Sequence, residues 1–501
     1  MAAPALSLAC HRFERTALIE AVQKASEAPP DGETPAQVRY LASYLSHPDC
    51  RARTFLVEEP YVDRHYLEEF TGYYANRFQP PSHRTKRFHF FSKEIGQLDL
   101  EKLRKKAASG GYAEVTAELQ DGYLGFAVIR PLPSAPVGRT ILSAYHGEER
   151  CYGTPATRHR VHLAGIVLEV DGVPFQQQDR AVGACATTAV WSALSRTMRA
   201  DGNRAPTPLS VTLAATRSTV LSRVLPADGG LEVGQICSAI HHFGYSPLPL
   251  RPLDEPAIFL MALKCYVRSG MPVILHLGLP GEGEKKTGDG HAATVVGFRD
   301  DHPDEPPPPI ELRLSESHSL IEKGISRFYV HDDRLGPYAR MRWRREDNKL
   351  EVYPYEKGWD EFEGPMQVWA AVVPLYPKLR LSATDLISFA GDLLPLVKTL
   401  LTPEERGALR VETRFEHGGR YLENLLRDAR LSADRSLALT VIPLPRYVGL
   451  IRFLANEHVV EVVCDTTDIY RDSRAPLLAI VASKEADVQK LREGCPEVTV
   501  P

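Results

Sequence analysis

Three separate segments of this chain carry side chains that can do chemistry together. The first is Phe175-Gln-Gln-Gln-Asp-Arg-Ala-Val-Gly-Ala-Cys185, a polar loop that runs into Ala186-Thr-Thr-Ala-Val-Trp191-Ser-Ala-Leu194. The apolar spacing of that run predicts a helix, with Cys185 at or near its first turn. The unpaired N–H groups and positive dipole end of a helix favour an anion, so thiols in that setting are more often nucleophilic. The second segment is Gly290-His291-Ala-Ala-Thr-Val-Val-Gly297-Phe298, a strand opening on a histidine. The third is Arg327-Phe-Tyr-Val-His-Asp332-Asp333-Arg-Leu-Gly336-Pro337, a strand that ends in carboxylates and a turn. A thiol nucleophile needs a base for its proton, and the base works best when a carboxylate or amide fixes its tautomer. Cys185, His291 and Asp332 are those three parts, and the Cys185 amide with Gln178 upstream can donate to an oxyanion.

Each part also has an ordinary explanation. A cysteine in an Ala-rich helix is more often packing than nucleophile. A histidine at a strand start is usually a loop residue, and Asp332-Asp333 before Arg-Leu-Gly-Pro fits a plain turn. The weight comes from three such features in one order. Other motifs fall away. Gly281, Gly283 and Lys285-Lys286-Thr287 do not make a phosphate loop, because no Gly precedes the Lys; residues 279–290 read instead as a flap beside His291. His241 and His242 are adjacent, so a helix turns them apart and they make a poor metal pair.

The elements that must position these residues follow from the pattern. Helices are predicted over 13–27, 35–46, 61–78 and 98–108, and strands at Thr54–Val57, Arg87–Phe91, Tyr123–Arg130, Arg139–Leu142 and Arg158–Val170. After the Cys185 helix come the run Leu209–Leu225, a turn at Gly229-Gly230 with a helix closed by Gly244, a helix over Ala257–Ser269, and strands at Met271–Leu277 and Met366–Leu375. An acidic, proline-rich insertion spans Asp300–Pro309. Beyond about 380, capping signals at Ser382-x-x-Asp385 and Thr402-Pro403-x-Glu405 start helices, the first interrupted at Pro395. Strands near 409–415, 437–443, 446–454, 458–464 and 477–482 alternate with helices near 418–428 and 484–493. This gives three regions: 1–120, of α/β type; 121–378, carrying the chemistry; and 379–501, a second α/β unit. A length of 501 residues suits that division at roughly 150 residues per domain.

Bulk properties narrow the function classes. Hydrophobic residues make up 43% and charged residues 25%, enough to bury a substantial core. With 60 Lys+Arg against 64 Asp+Glu, the net charge of −4 gives no basic excess for nucleic acid or an acidic membrane. The eight cysteines are scattered, without a C-x-x-C pair, which fits neither a zinc knuckle nor a disulfide framework. No segment approaches the ~18 apolar residues of a membrane span. The expectation is a cytoplasmic protein without cofactor or metal.

The order Gln178, Cys185, His291, Asp332 resembles the papain-like fold. Within it, the nearest likeness is to the double-glycine-leader peptidases of bacteriocin exporters and their free-standing bacterial relatives. The resemblance covers roughly residues 170–375 and rests on Gln…Gly-Ala-Cys185, Gly230-Leu…Ala239-Ile, Gly270-Met-Pro-Val-Ile, Gly290-His291…Val-Val-Gly-Phe298 and Val330-His-Asp332…Gly336. It implies an α+β fold in which a Cys-bearing helix packs on an antiparallel sheet, flanked by the N- and C-terminal α/β regions. It also implies Cys185 as nucleophile, His291 as general base and acid, Asp332 as the orienting residue and Gln178 in the oxyanion hole. The family pattern has its Gln six residues before the Cys, where this chain has Asp179, and many relatives have Gly where Ala186 stands. Asp333 competes with Asp332 for the orienting role.

The implied activity is cleavage of a peptide or isopeptide bond of a protein substrate through a thioester, with a regulatory protein partner able to use the flanking regions. The same site can serve a transglutaminase-like acyl transfer. The displaced Gln favours a third reading, an inactive scaffold that binds a protein partner. A metal site built from His291, His331 and Asp333 is the weakest alternative.

Overall fold

A computed structural model describes residues 6–145, 156–179, 185–217, 231–252, 255–278, 290–301, 306–346, 349–355, 365–429, 431–467 and 477–494. The Gly183-Ala184 approach to Cys185, the flap and its lysines, the end of Leu209–Leu225, the Gly229-Gly230 turn and residues 302–305 of the acidic insertion lie outside them. The architecture is mixed α+β, and its sheets are antiparallel.

The first sheet has five strands in sequential order: β1 (Ser7–Arg12), β2 (Thr54–Tyr61), β3 (Thr85–Phe91), β4 (Tyr123–Ile129) and β5 (Val137–Leu142). Helices α1 (Arg15–Ala25), α2 (Ala36–Ser46), α3 (Arg64–Glu69), α4 (Gln97–Lys106) and α5 (Tyr112–Gln120) lie between those strands in sequence. The helical pattern expected over 61–78 is α3, followed by one wide turn at Phe70–Tyr74. The boundary expected at 120/121 falls inside this sheet, because β4 pairs with β3 along Lys86–Phe91. The strand expected over Arg158–Val170 is two strands, β6 (Thr157–Leu163) and β7 (Ile166–Gly172). They are joined through Ala164 and Gly165 at φ of 46° and 93°, the positive angles that a two-residue hairpin turn requires.

Next come α6 (Cys185–Ala200), α7 (Pro208–Ala215), α8 (Val233–His242) and α9 (Pro256–Arg268). The second sheet holds β8 (Ser246–Leu250), β9 (Val273–Gly278), β10 (Gly290–Arg299), β13 (Arg327–Asp332), β14 (Gly336–Glu346), β15 (Lys349–Pro354) and β16 (Met366–Leu375). A small hairpin, β11 (Ile310–Arg313) and β12 (Ser319–Glu322), intervenes. The strand order is β15-β14-β13-β10-β9-β16-β8. Because β15 also pairs with β16 at Glu351–Gln367 and Val352–Met366, six of the seven strands close into a ring. Closure pairs strand edges that would otherwise be exposed to other chains.

The C-terminal region contains α10 (Ala383–Leu400), α11 (Pro403–Ala408), α12 (Gly418–Leu426), α13 (Ala433–Thr440) and α14 (Glu485–Gly494). Its sheet is β17 (Arg410–His417), β18 (Tyr447–Ala455), β19 (His458–Asp465) and β20 (Leu477–Ala482), in that order. Two expectations change here. Helix α10 runs through Pro395 with Leu393, Leu394 and Val397 buried; burying them at about 1.5–3 kcal/mol each outweighs the ~3 kcal/mol a proline costs a helix. The strand expected over 437–443 is largely the helix α13, which starts where Ser432 accepts a hydrogen bond from the Arg435 N–H.

The largest apolar cluster is continuous from Leu18 in α1 to Leu491 in α14, so core packing crosses both expected region boundaries. None of the six described cysteines forms a disulfide. Among the described residues, no helix is long and apolar enough to cross a membrane.

Candidate active site

Helix α6 is the central support of the site. Its residues from Ala186 to Met198 are buried almost without a break, Thr188 excepted, which marks a helix covered on every side rather than one lying on a surface. It contacts β9, β10, β13 and β16. Buried polar groups along and against it are satisfied locally, the Ser195 hydroxyl excepted. Ser192 donates to the Pro174 carbonyl at 2.7 Å, Trp191 donates its indole N–H to Pro206 at 3.2 Å, and Thr294 of β10 donates to the Ala189 carbonyl at 2.9 Å. Cys185, the first residue of the helix, stays half-buried.

His291 and Asp332 come from neighbouring antiparallel strands, β10 and β13. The imidazole Nε2 donates to Asp332 Oδ1 at 3.0 Å, and His291 also hydrogen-bonds to Cys185. With Nε2 engaged by Asp332, Nδ1 is the nitrogen left to face the sulfur. Cys185, His291 and Asp332 are therefore joined into one hydrogen-bonded row by three segments far apart in sequence. Asp333 also approaches, with Oδ1 at 4.0 Å from Nδ1, but does not hydrogen-bond to the ring. Of the two carboxylates, Asp332 is the one hydrogen-bonded to the His291 ring.

Electrostatics separate the groups further. Burial alone would lower the imidazole pKa, but the charge and hydrogen bond of Asp332, the hydrogen bond to Cys185 and the charge of Asp333 outweigh it and raise it to about 10. His291 is thus an imidazolium at neutral pH. Burial would raise Asp332, yet His291, the Arg334 guanidinium and the Arg334 N–H at 2.9 Å hold its carboxyl well below the usual range. Asp333 is pushed up to about 6, by burial first and by the Asp332 charge, against the pull of His291.

His291, Asp332 and Asp333 each place one donor atom within 4.8 Å of the others. A metal-binding histidine must offer a bare nitrogen, whereas this ring is held protonated against Asp332. His331 does not join the set. Its Nδ1 lies 3.1 Å from the Pro174 carbonyl and 3.3 Å from Ser192 Oγ, its ring packs edge-on against Tyr338, and burial lowers its pKa to about 3. The metal alternative from His291, His331 and Asp333 is not assembled.

The glutamine loop is fixed from the N-terminal region, which sequence reasoning left without a role. Phe175 and Thr140 exchange two backbone hydrogen bonds, at 2.8 and 2.9 Å, which adds the loop to β5 as a short extra strand. Gln177 accepts from the Val137 N–H with its side chain at 3.2 Å and donates its own N–H to the Val137 carbonyl at 2.9 Å. Gln176 donates to Glu69 Oε1 at 2.7 Å. Glu69 ends α3 and pairs with Arg130 at 3.3 Å, both 1% exposed, and Arg130 donates to the Gln177 carbonyl at 2.9 Å. Gln176 and Gln177 are therefore structural, and Gln178, half-buried, is the glutamine next in line toward Cys185.

Helix α2 supports the other end of the site. Gln37 donates to the Asp333 carbonyl at 2.7 Å. The ring of Tyr40 packs so closely on Gly336 that a Cβ there would lie 2.2 Å from it. Only a residue without a side chain fits that turn.

Glu69→Ala leaves the Arg130 guanidinium buried without its carboxylate, and the expected loss is about 3–5 kcal/mol. Glu69→Gln keeps the shape and the Gln176 contact, so a clearly smaller loss is expected in urea unfolding. Equal losses from the two variants would remove the ion pair from the account. Comparison of the chain with known protein families and with characterised proteins gives no match.

Proposed function

We propose that the chain is a papain-like cysteine hydrolase that cleaves a peptide or isopeptide bond of a protein substrate through a thioester. The observation that carries the reading is the hydrogen-bonded row Cys185–His291–Asp332. A helix that opens on the cysteine and packs on an antiparallel sheet bearing His291 and Asp332 supports the papain-like comparison.

In this reading the thiol proton already rests on His291, and the sulfur attacks the carbonyl carbon of the scissile bond. The resulting oxyanion meets the Cys185 backbone N–H and the Gln178 amide. As the C–N bond breaks, His291 returns its proton to the leaving amine, and a Cys185 acyl thioester remains. Water then loses a proton to His291 and attacks the thioester, releasing the acid and returning the sulfur to its pairing with the protonated His291. Asp332 holds the ring in one orientation and stabilises its positive form throughout. An amine in place of water would make the same intermediate a transferase.

A small thiol-directed electrophile applied to the intact chain tests the reading. Burial pushes the thiols of Cys10, Cys265 and Cys464 up to about 11, 12 and 12, so they should react slowly. Cys185 should be modified first at mildly acidic pH, and His291→Ala should erase that lead. Equal labelling of every cysteine would favour the scaffold reading over the hydrolase.

A further inference from the structure

We propose that the free edge of β6 binds an extended acidic segment of a protein partner, which adds to the β6–β7 hairpin as a further strand. The hairpin register decides which groups are free. Leu163 and Ile166 flank the turn, and the pairs continue through His162↔Val167, Arg160↔Glu169 and Arg158↔Asp171. In such a ladder, hydrogen-bonded and non-hydrogen-bonded pairs alternate outward from the turn. Arg158, Arg160 and His162, with Val167, Glu169 and Asp171 opposite them, therefore point their backbone N–H and C=O groups away from the hairpin.

The two edges differ in what meets those groups. On the β7 side, the Val167 N–H donates to the Tyr112 hydroxyl at 3.1 Å, and the Gln120 side chain exchanges two hydrogen bonds with the Glu169 backbone, at 2.7 and 2.9 Å. Helix α5 thus covers that edge. On the β6 side, Arg87 donates to the His162 carbonyl. Among the described residues, no hydrogen bond reaches the backbone N–H or C=O of Arg158 or Arg160, and both residues are exposed. An open strand edge is a template for another chain, and strand addition is a general mode of peptide recognition.

Charge selects the occupant. Residues His159–His162 of this edge line a cavity of about 490 Å³ together with Arg87, Arg139 and Arg199. The one carboxylate of the described lining, Glu58, accepts from Arg87 at 2.7 Å and lies 3.2 Å from the His89 ring. Arg139 is paired with Asp63 at 2.7 Å. Glu169, across the hairpin from Arg160, is paired with Arg158 at 3.5 Å. Arg160 and Arg199 remain, with no ion pair among the described residues. Burial and the like charge of Arg139 both lower the pKa of Arg199, so an incoming carboxylate would relieve a repulsion already present. A DNA backbone offers acceptors without alternating donors, whereas an extended peptide supplies both to the Arg158–Arg160 edge.

This inference does not rest on the hydrolase reading, and its test needs no catalysis. Fluorescence anisotropy on the intact Cys185→Ala chain would use a labelled octapeptide of alternating Glu and Thr, at constant ionic strength. Saturable one-site binding is expected, and the corresponding Lys-Thr peptide should not bind. Arg160→Ala and Arg199→Ala should each weaken binding about threefold to fivefold, the scale of exposed ion pairs, and Arg160→Glu should abolish it. Arg104→Ala, a surface arginine on α4, should leave it unchanged. Strand addition further requires that N-methylation of alternate peptide amides, made in both registers, destroys binding in at least one of them. An oligothymidylate of equal charge should compete only weakly. Absence of saturation, unchanged affinity in Arg160→Glu, binding that survives methylation in both registers, or tighter binding of the oligothymidylate would each overturn the proposal.

Discussion

Asp332→Asn is expected to lower hydrolysis by about 10²–10⁴-fold, whereas Asp333→Asn should retain most of the rate. The asymmetry follows from geometry: Asp332 hydrogen-bonds to Nε2 at 3.0 Å, and Asp333 only approaches Nδ1 at 4.0 Å. Stability should separate the two variants as well. His291 has a folded pKa of about 10, above its ordinary 6.5. Its contribution is therefore fully present below pH 6.5 and is lost as pH rises through about 10. Asp332→Asn removes the main source of that elevation and breaks a buried pair, a loss of about 3–5 kcal/mol at neutral pH. The unfolding free energy of this variant should then vary less between pH 6.5 and 10 than that of the parent.

Asp333 works in the opposite sense. Its folded pKa of about 6 lies above the ordinary 3.8, so the cost of its buried charge appears as pH rises through that window. Asp333→Asn should accordingly be as stable as the parent at neutral pH, or more so. Denaturant midpoints for both variants at pH 5, 7 and 9 check the signs directly. Equal damage to rate and stability from the two substitutions would mean that the carboxylates act as a unit.

Cys185→Ala carries the largest expected effect, a fall in hydrolysis of at least about 10⁴-fold, because removing the nucleophile of a covalent route leaves only binding and the oxyanion donors. The fold should survive. Cys185 opens a helix that is otherwise anchored by buried residues up to Met198, and Ala is a favourable helix residue. Incubation with an activated peptide ester should add the acyl mass to the parent chain at Cys185 and nothing to the variant. Unchanged hydrolysis in Cys185→Ala would transfer the chemistry to another group.

Much of the candidate site was legible in the sequence because its parts announce themselves locally. The apolar run after Cys185 has helical spacing, the run after His291 is strand-like, and Asp332 closes a strand before a Gly-Pro turn. The choice between Asp332 and Asp333 needed the strand pairing, since both stand at the same strand end. Strand β14 was missed although Ala339, Met341 and Trp343 alternate with Arg340, Arg342 and Arg344, the period of a half-buried strand. Strand β8 was missed for a better reason. Ser246-Pro-Leu-Pro-Leu250 carries two prolines and is tolerated only because it lies at the end of the sheet order, beside β16.

The support from the N-terminal region was invisible to local pattern. Glu69, Arg130 and Gln176 lie in three distant segments, each reading as an ordinary surface residue, and only the tertiary fold makes them a buried set. The same holds for Gln37 and Tyr40 beneath the Asp332–Gly336 turn. A boundary drawn at 120 from sequence cut through the sheet for a related reason, since the period change at Tyr123 marks one more strand of the first sheet, not a new unit.

The charge on His291 tests the central claim most directly, because the imidazolium exists only if the ring sits between Asp332 and Cys185. Histidine-selective ¹⁵N labelling, with His291→Gln to assign the signal, reports both ring nitrogens as pH is raised. The account predicts an imidazolium that persists through pH 8 and titrates near 10, falling in Asp332→Asn. A ring that titrates near 6.5 and ignores Asp332→Asn would contradict it.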